Sequence, residues 1–387
     1  MRTIARFVAK FLAWAIFPTV VLLWFPSPWM WLGFIAPLFF LIGRWIERGT
    51  PLPSTRANLP LFIFLLWVAF SFAVTPASDL AVITVGQVLV GVTVFFVLRD
   101  FTPPMERALW IAGALVLLGV AFALVAPFTV NWTPSKLFGL PEFYDKLWFR
   151  LPEKTNSNIL AGALAPMVPI ALALVRQNER RWRVLGATAL APILLIGVLL
   201  QSRGAFLGLA AGIVVWLALY NRWMLPLALA GILGLMAVDV FFGGASLATL
   251  LYGEAGATIA GTMVMRQDLW REAVLLIRQA PLWGIGLGAY PRVSAHALPH
   301  AHNLFLQIAL DTGVIGLAAF LGVVGVAMRA AWSSYRAKLN RHLAIGVLAA
   351  FVVLMVHGLG DVIVWGTAKA SIVLWILLAL AMGLDEN

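Results

Sequence analysis

Cysteine is absent from this chain. No disulfide can staple a loop, and no thiolate is on hand as a nucleophile or metal ligand. Charge is scarce as well: Asp, Glu, Lys and Arg together make up 11% of the 387 residues. A soluble domain of any size carries more. Three motifs are also missing: the glycine-rich Walker loop, the D-x-D carboxylate pair that holds a metal and a nucleotide sugar, and H-E-x-x-H. Their absence disfavours chemistry driven by nucleotides on the cytoplasmic side, and no metal or other cofactor is required by the sequence.

What is present is hydrophobic: 62% of residues, with a mean hydropathy of +0.96. Apolar runs of roughly 17–25 residues recur from end to end between short polar breaks, which is the pattern of membrane-spanning helices and not of alternating barrel strands. The expected fold class is an all-α polytopic membrane protein, one integral domain over residues 1–387, with about twelve spans. They are expected at 7–25, 29–45, 59–75, 79–98, 107–127, 157–175, 184–201, 204–220, 224–242, 302–328, 343–358 and 363–383. The first run, Phe11 to Phe25 behind Arg2, Arg6 and Lys10, reads as a span because no small-residue cleavage site follows it before Trp29.

The formal net charge of +11 suggests nucleic acid in a soluble protein, but here it reflects basic loops. With the amino terminus inside, seventeen of the 27 basic residues fall on inner connections. The other ten fall at four outer places: Lys136, Lys146, Arg150 and Lys154; Arg203; Arg266, Arg271, Arg278 and Arg292; and Lys369. Both termini are therefore expected in the cytoplasm, with the outward cations positioned to hold an external anion. Two external segments are long, 128–156 and 243–301. The second contains Thr262 to Gln279, where Met263, Trp270, Val274 and Ile277 recur at helical spacing against five charged residues. That reads as an amphipathic helix in contact with membrane lipids, whether as a plain anchor or as part of a site.

Several short stretches bear on chemistry. In "PHAHNLFLQIALDTGVIG" His302 stands at the outer mouth of the tenth span, and on a helical wheel Gly313 and Gly316 fall about 20° and about 40° from it. An interfacial imidazole that only caps or snorkels fits the position as well as a catalytic one. Asp311 falls on the opposite face, and a carboxylate at that depth needs a partner. In "LLQSRGAFLG" Arg203 occupies a tight outer turn, either marking a hairpin or offering its planar fork to phosphate oxygens. "PLWGIGLGAY" lacks the strand of a dinucleotide site and reads as an external turn. In "HGLGD" His357 and Asp361, four apart near the outer end of the eleventh span, suit an ion pair or a functional site equally.

The string H-N, nine residues, G-x-x-G from His302, preceded by "MRQDLWREAVLLIRQAPLWGIGLGAYP" and by "SRGA" at the outer end of a span, resembles the O-antigen ligase and O-antigen polymerase superfamily of bacterial envelope glycosyltransferases. "TNSNILAG", Thr155 to Gly162, is similar to an asparagine-containing helix start of that family. The resemblance implies a GT-C-like fold in the bacterial cytoplasmic (inner) membrane with its active site facing the periplasm. It implies transfer of a glycan from undecaprenyl diphosphate to a hydroxyl of lipid A-core, or, as a polymerase, to a second lipid-linked glycan. In that reading His302 takes or orients the acceptor proton while Arg203 and Arg266 hold the diphosphate. Asn303, Arg271, Arg150, Lys154 and Asn158 are candidate substrate contacts, and no nucleic acid is involved. A twelve-span secondary transporter is the alternative from another class. It calls for ionisable groups at the bilayer midplane, whereas most charges here sit at the outer ends.

Overall fold

The computed structural model describes residues 32–100, 104–132, 155–221, 256–296, 298–366 and 370–384, together with Phe7, Trp223 and Pro226. It is a multi-pass helical bundle. Numbered over the described residues, the helices are α1 (Leu32–Arg48), α2 (Asn58–Val74), α3 (Ser78–Asp100), α4 (Pro104–Thr129), α5 (Ser157–Leu164), α6 (Met167–Val175), α7 (Arg180–Leu199), α8 (Arg203–Tyr220), α9 (Gly256–Gln279), the short α10 (Tyr290–Val293), α11 (Leu304–Arg336), α12 (Arg341–Gly358) and α13 (Ser371–Gly383). Among the described residues seven helical segments are long and apolar enough to cross a membrane, α5 and α6 counting as one, and α2 and α13 are shorter apolar helices. Apart from Phe7 and Pro226 the expected spans 7–25 and 224–242 lie outside the described residues, as do most of the expected loop 128–156 and residues 243–255. The two ends of the first loop are pinched together: Val130 and Asn131 (β1) pair in parallel with Thr155 and Asn156 (β2).

Helix α12 lies at the centre, against α8, α6, α11 and α13. In a bilayer no hydrophobic gain drives helices together, so association depends on close packing and small residues. The α8–α12 seam follows this rule. Gly204, Gly208 and Gly212, one turn apart, face His357, Val353 and Ala349, and a Cβ on Gly208 would come within 2.6 Å of the Val353 carbonyl oxygen.

Three expectations change. The tenth span starts at Leu304, because the Asn303 side chain caps it by accepting from the N–H groups of Phe305 and Leu306 at 3.0 and 3.1 Å. His302 thus precedes the helix. The same helix breaks at Gly313 (φ 70, ψ −178), so no continuous wheel joins His302 to Gly313 and Gly316. The broken turn frees the Leu310 carbonyl and the Val314 N–H, and the glycine-rich turn supplies both partners. Ile285 N–H donates to Leu310 O at 2.7 Å, and Val314 N–H donates to Pro281 O at 2.8 Å. Backbone groups buried at this depth need such replacements. Gly284 and Gly313 both have positive φ, and a Cβ on Gly284 would lie 2.7 Å from Gly313 N. The last expected span begins late, at Ser371, and residues 361–366 form a non-helical link between α12 and α13.

Helix α9 answers to the expected amphipathic helix with its faces reassigned. Leu269 and Ala273 are fully buried against Tyr290, Ala301 and Leu310, whereas Trp270, Val274 and Leu275 line an outward concavity with Gln267, Arg271 and Arg278. The carboxylate of Glu272 fixes the helix to the following loop, accepting from Tyr290 OH (3.0 Å), Ser294 Oγ (2.7 Å) and Ala295 N–H (2.7 Å). Burial would raise its pKa, but these bonds and the nearby His296 hold it below the usual carboxylate range.

Candidate active site

The first residue of α8, the buried side of α9, the segment before α11 and the end of α12 meet at one end of the bundle. Arg203 opens α8 behind Ser202, whose Oγ accepts from Ala205 N–H at 3.4 Å, so its guanidinium stands at the positive pole of a helix. A Cβ on the adjacent Gly204 would lie 2.6 Å from the His357 ring, so α8 reaches the end of α12 only because the residue after Arg203 has no side chain. Arg266 is carried on α9, and one of its terminal nitrogens lies 3.5 Å from where a Cβ on Gly360 would stand. Arg203 Nη1 and Arg266 Nε are buried and find no hydrogen-bond partner among the described residues. Burial lowers the pKa of Arg266 below its ordinary value; Arg203 adds to the fall and Asp361 opposes it. Two guanidinium groups that close, with N–H groups to spare, suit an anion with several oxygens.

His302 is held in the left-handed region, at φ 49. Its Nδ1 lies 3.2 Å from Asp361 Oδ1, which also accepts from Val362 N–H at 2.9 Å. With an ionised carboxylate facing it, Nδ1 carries a proton and donates, and Nε2 makes no hydrogen bond among the described residues. Burial would raise the pKa of Asp361, but the bond from His302, the neighbouring imidazoles and the Val362 N–H outweigh that and keep the carboxyl well below its usual range. His300 stacks edge-on against His302, with ring centroids 4.3 Å apart. Its own pKa is pushed down to about 4 by burial, by His302 and by Arg266, with Asp361 opposing. It is neutral near pH 7.

The donor atoms of His300, His302 and Asp361 lie within 4.8 Å of one another, two imidazoles and a carboxylate of the kind that bind a divalent ion. Against that use, the His302 nitrogen facing Asp361 is engaged by it, and the Arg266 charge would repel a second cation.

Arg203, Arg266 and His302 are thus brought together, and Asp361 joins them. The expected His357–Asp361 pair is not formed: α12 ends at Gly358, which turns Asp361 away from the helix and toward His302. Asn303 is occupied as the cap of α11, and its Nδ2 donates to Leu359 O at 3.0 Å. Arg271 stands on the outward face of α9, paired with Asp268 at 3.2 Å, and is not part of the cluster. Asn158 lies in the first turn of α5, its N–H donating to the Asn156 cap at 2.8 Å, one turn before Gly162, which faces His357 and Ile363. Arg150 and Lys154, with Lys136, Lys146 and Lys369, lie outside the described residues.

Comparison with known proteins agrees with the motifs. The chain is 28% identical over 153 residues to the exopolysaccharide production protein ExoQ of Rhizobium meliloti (strain 1021), an alignment covering 34% of this chain and 35% of that protein. The chain therefore spans about a third of the length of that relative. Residues 188–321 match the family described as O-Antigen ligase, a stretch that holds Arg203, Arg266 and His302 and stops short of Asp361.

Proposed function

We propose that the chain is a membrane glycosyltransferase that moves a glycan from undecaprenyl diphosphate to an acceptor hydroxyl at the extracytoplasmic face of the bacterial inner membrane, within a bundle of about twelve spans. The observation that carries this reading is the pairing of two half-buried guanidinium groups, each with a buried nitrogen that lacks a partner among the described residues, with an imidazole whose Nδ1 is held by a carboxylate. The acceptor hydroxyl gives its proton to His302 Nε2 as its oxygen bonds to the anomeric carbon. The bond from that carbon to the diphosphate breaks, and the diphosphate leaves on its lipid with its new charge against Arg203 and Arg266. Asp361 orients His302 and stabilises the imidazolium that forms. A positioned base contributes roughly 10²–10⁴-fold, and one donor to a developing oxyanion about 10²–10³-fold. The chemistry is complete without a metal.

The acceptor separates two readings. Ligation of finished O-antigen to lipid A-core is supported by the family description of residues 188–321. Extension of a lipid-linked glycan is supported by the likeness to an exopolysaccharide production protein. Purified chain in detergent, supplied with the source bacterium's undecaprenyl-diphosphate-linked glycan and either acceptor, tests both by mass analysis of the product. A lipid A-core conjugate supports ligation, and longer carrier-linked chains support polymerisation. No new glycosidic bond with either acceptor contradicts the transferase reading.

A further inference from the structure

Below the cluster, inside the first half of α11, is a carboxylate that the proposed reaction does not use. Asp311 is 2% exposed, and its hydrogen-bond partners Gln307 and Trp365 are each 4% exposed. A buried carboxylate costs several kcal/mol unless its oxygens are bonded. Apolar packing alone would be served by leucine at this position. Besides a bond from the backbone of Gly288 in the docked turn, two bonds run toward the cluster. Asp311 Oδ1 accepts from Gln307 Nε2 at 3.1 Å, and the other end of that amide, Oε1, accepts from the N–H of Ala301 at 2.9 Å. Ala301 is the residue between His300 and His302. Asp311 Oδ2 accepts from Trp365 Nε1 at 2.7 Å, and Trp365 lies in the same non-helical link as Asp361, four residues on. The main chain at Asp311 is fixed too: Ser71 Oγ donates to its carbonyl oxygen.

We infer that Asp311 is a positioning residue whose two oxygens set the His302 segment and the Asp361 link in register, through Gln307 on one side and Trp365 on the other. The inference rests on the reading of His302 as the proton acceptor. His302 and Asp361 are far apart in the chain and come from irregular backbone on both sides, with His302 in a left-handed conformation that its own side chain does not favour. Neither helix geometry nor a sheet ladder holds such a pair at 3.2 Å. One direct tie exists, from Asn303 Nδ2 to Leu359 O, and the buried carboxylate adds a second constraint that reaches Ala301 and Trp365, without touching substrate.

Donor and acceptor roles make the idea testable by reversal. In Asp311→Asn one oxygen becomes an NH₂ group, so either Gln307 or Trp365 meets a donor instead of an acceptor; a flip of the Gln307 amide only passes the mismatch to Ala301. In Gln307→Glu two acceptors face each other. The double variant Gln307→Glu/Asp311→Asn restores the three bonds of this relay, with glutamate accepting from Ala301 N–H and from the new amide, and the asparagine oxygen accepting from Trp365. Full-length chain purified in detergent, normalised to its folded fraction by size exclusion and thermal midpoint, is assayed with the source bacterium's undecaprenyl-diphosphate-linked glycan. Each single variant is expected to lower kcat by about tenfold or more with KM for the donor within about twofold, and the double to recover to within about threefold of wild type. Wild-type kcat per folded molecule in either single variant, or a double variant no better than the singles, overturns the positioning role. His302→Ala measured alongside separates the two levels: if it transfers at the wild-type rate, the proton-acceptor reading has failed, whereas its inactivity beside a fully active Asp311→Asn defeats only this inference.

Discussion

The two ends of the bundle treat arginine differently. At the end away from His302, Arg44 and Arg48 share Asp100 at 3.4 and 2.8 Å, Arg176 donates to Tyr220 OH, and Arg341 donates to the Leu219 carbonyl at 3.3 Å. These guanidinium groups have partners within the protein, although Arg44 Nε is also buried without a hydrogen bond. At the His302 end, Arg203 and Arg266 each keep a buried N–H without a partner among the described residues, and the carboxylate near them, Asp361, is given to an imidazole. The first end sets a carboxylate, a hydroxyl and a carbonyl against its cations. The second gives its carboxylate to His302, so its two guanidinium groups suit an anion with several oxygens.

The sharpest way to break this contrast is to remove the imidazole. His302→Ala is expected to lower transfer about 10³-fold, and Asp361→Asn about 10²-fold by freeing the ring to take the wrong tautomer. Both are read as product formed per folded molecule. Next come the arginines. Arg203→Lys and Arg266→Lys keep the charge and lose the planar fork, and each is expected to reduce kcat/KM about 10²-fold. Arg48→Lys and Arg341→Lys, at the other end, should stay within about twofold, since both side chains are exposed and their contacts tolerate a single donor. Equal losses at the two ends would erase the distinction.

How much of this could be read from the chain follows the range of each interaction. Arg203, Arg266 and His302 were legible because each sits in a short string next to an apolar run, and loop charge gave them a common side. Asp361 was not. It reaches His302 across 59 positions, and helical spacing pointed it at His357 instead. The only local hint was Gly358 and Gly360, which end the helix before Asp361. The wheel through His302 failed for a reason present in the sequence: asparagine directly before an apolar run is a helix cap, which puts His302 outside the helix. The break at Gly313 was hidden, since glycine is common in membrane helices and only the docked turn at Pro281 to Gly288 makes it a kink here. Asp311 was marked as needing a partner, but Trp365 and Gln307 could be named only once the link after α12 was seen to fold back.

Two smaller effects concern stability. His300 is neutral in the fold and protonated in the unfolded chain between its ordinary pKa of 6.5 and about 4. The unfolded state therefore binds the extra proton in that window, and stability falls as pH drops through it, by on the order of 3 kcal/mol in all. Thermal midpoints of detergent-solubilised protein should decline from pH 6.5 to pH 4, and His300→Gln should flatten that slope. Smaller still is the seam. Gly208→Ala drives a methyl group toward the Val353 carbonyl and is expected to cost roughly 1–3 kcal/mol, while Gly325→Ala, with nothing within 4 Å, should not destabilise. Comparing their midpoints tells how much the close α8–α12 contact adds to stability.

The most direct test of the central claim is a titration of purified wild-type chain, His302→Ala and Arg203→Lys/Arg266→Lys with undecaprenyl diphosphate alone. Wild type and His302→Ala should bind with equal affinity, and the double arginine variant at least about tenfold more weakly. Equal affinity in all three would contradict an anion site built on Arg203 and Arg266.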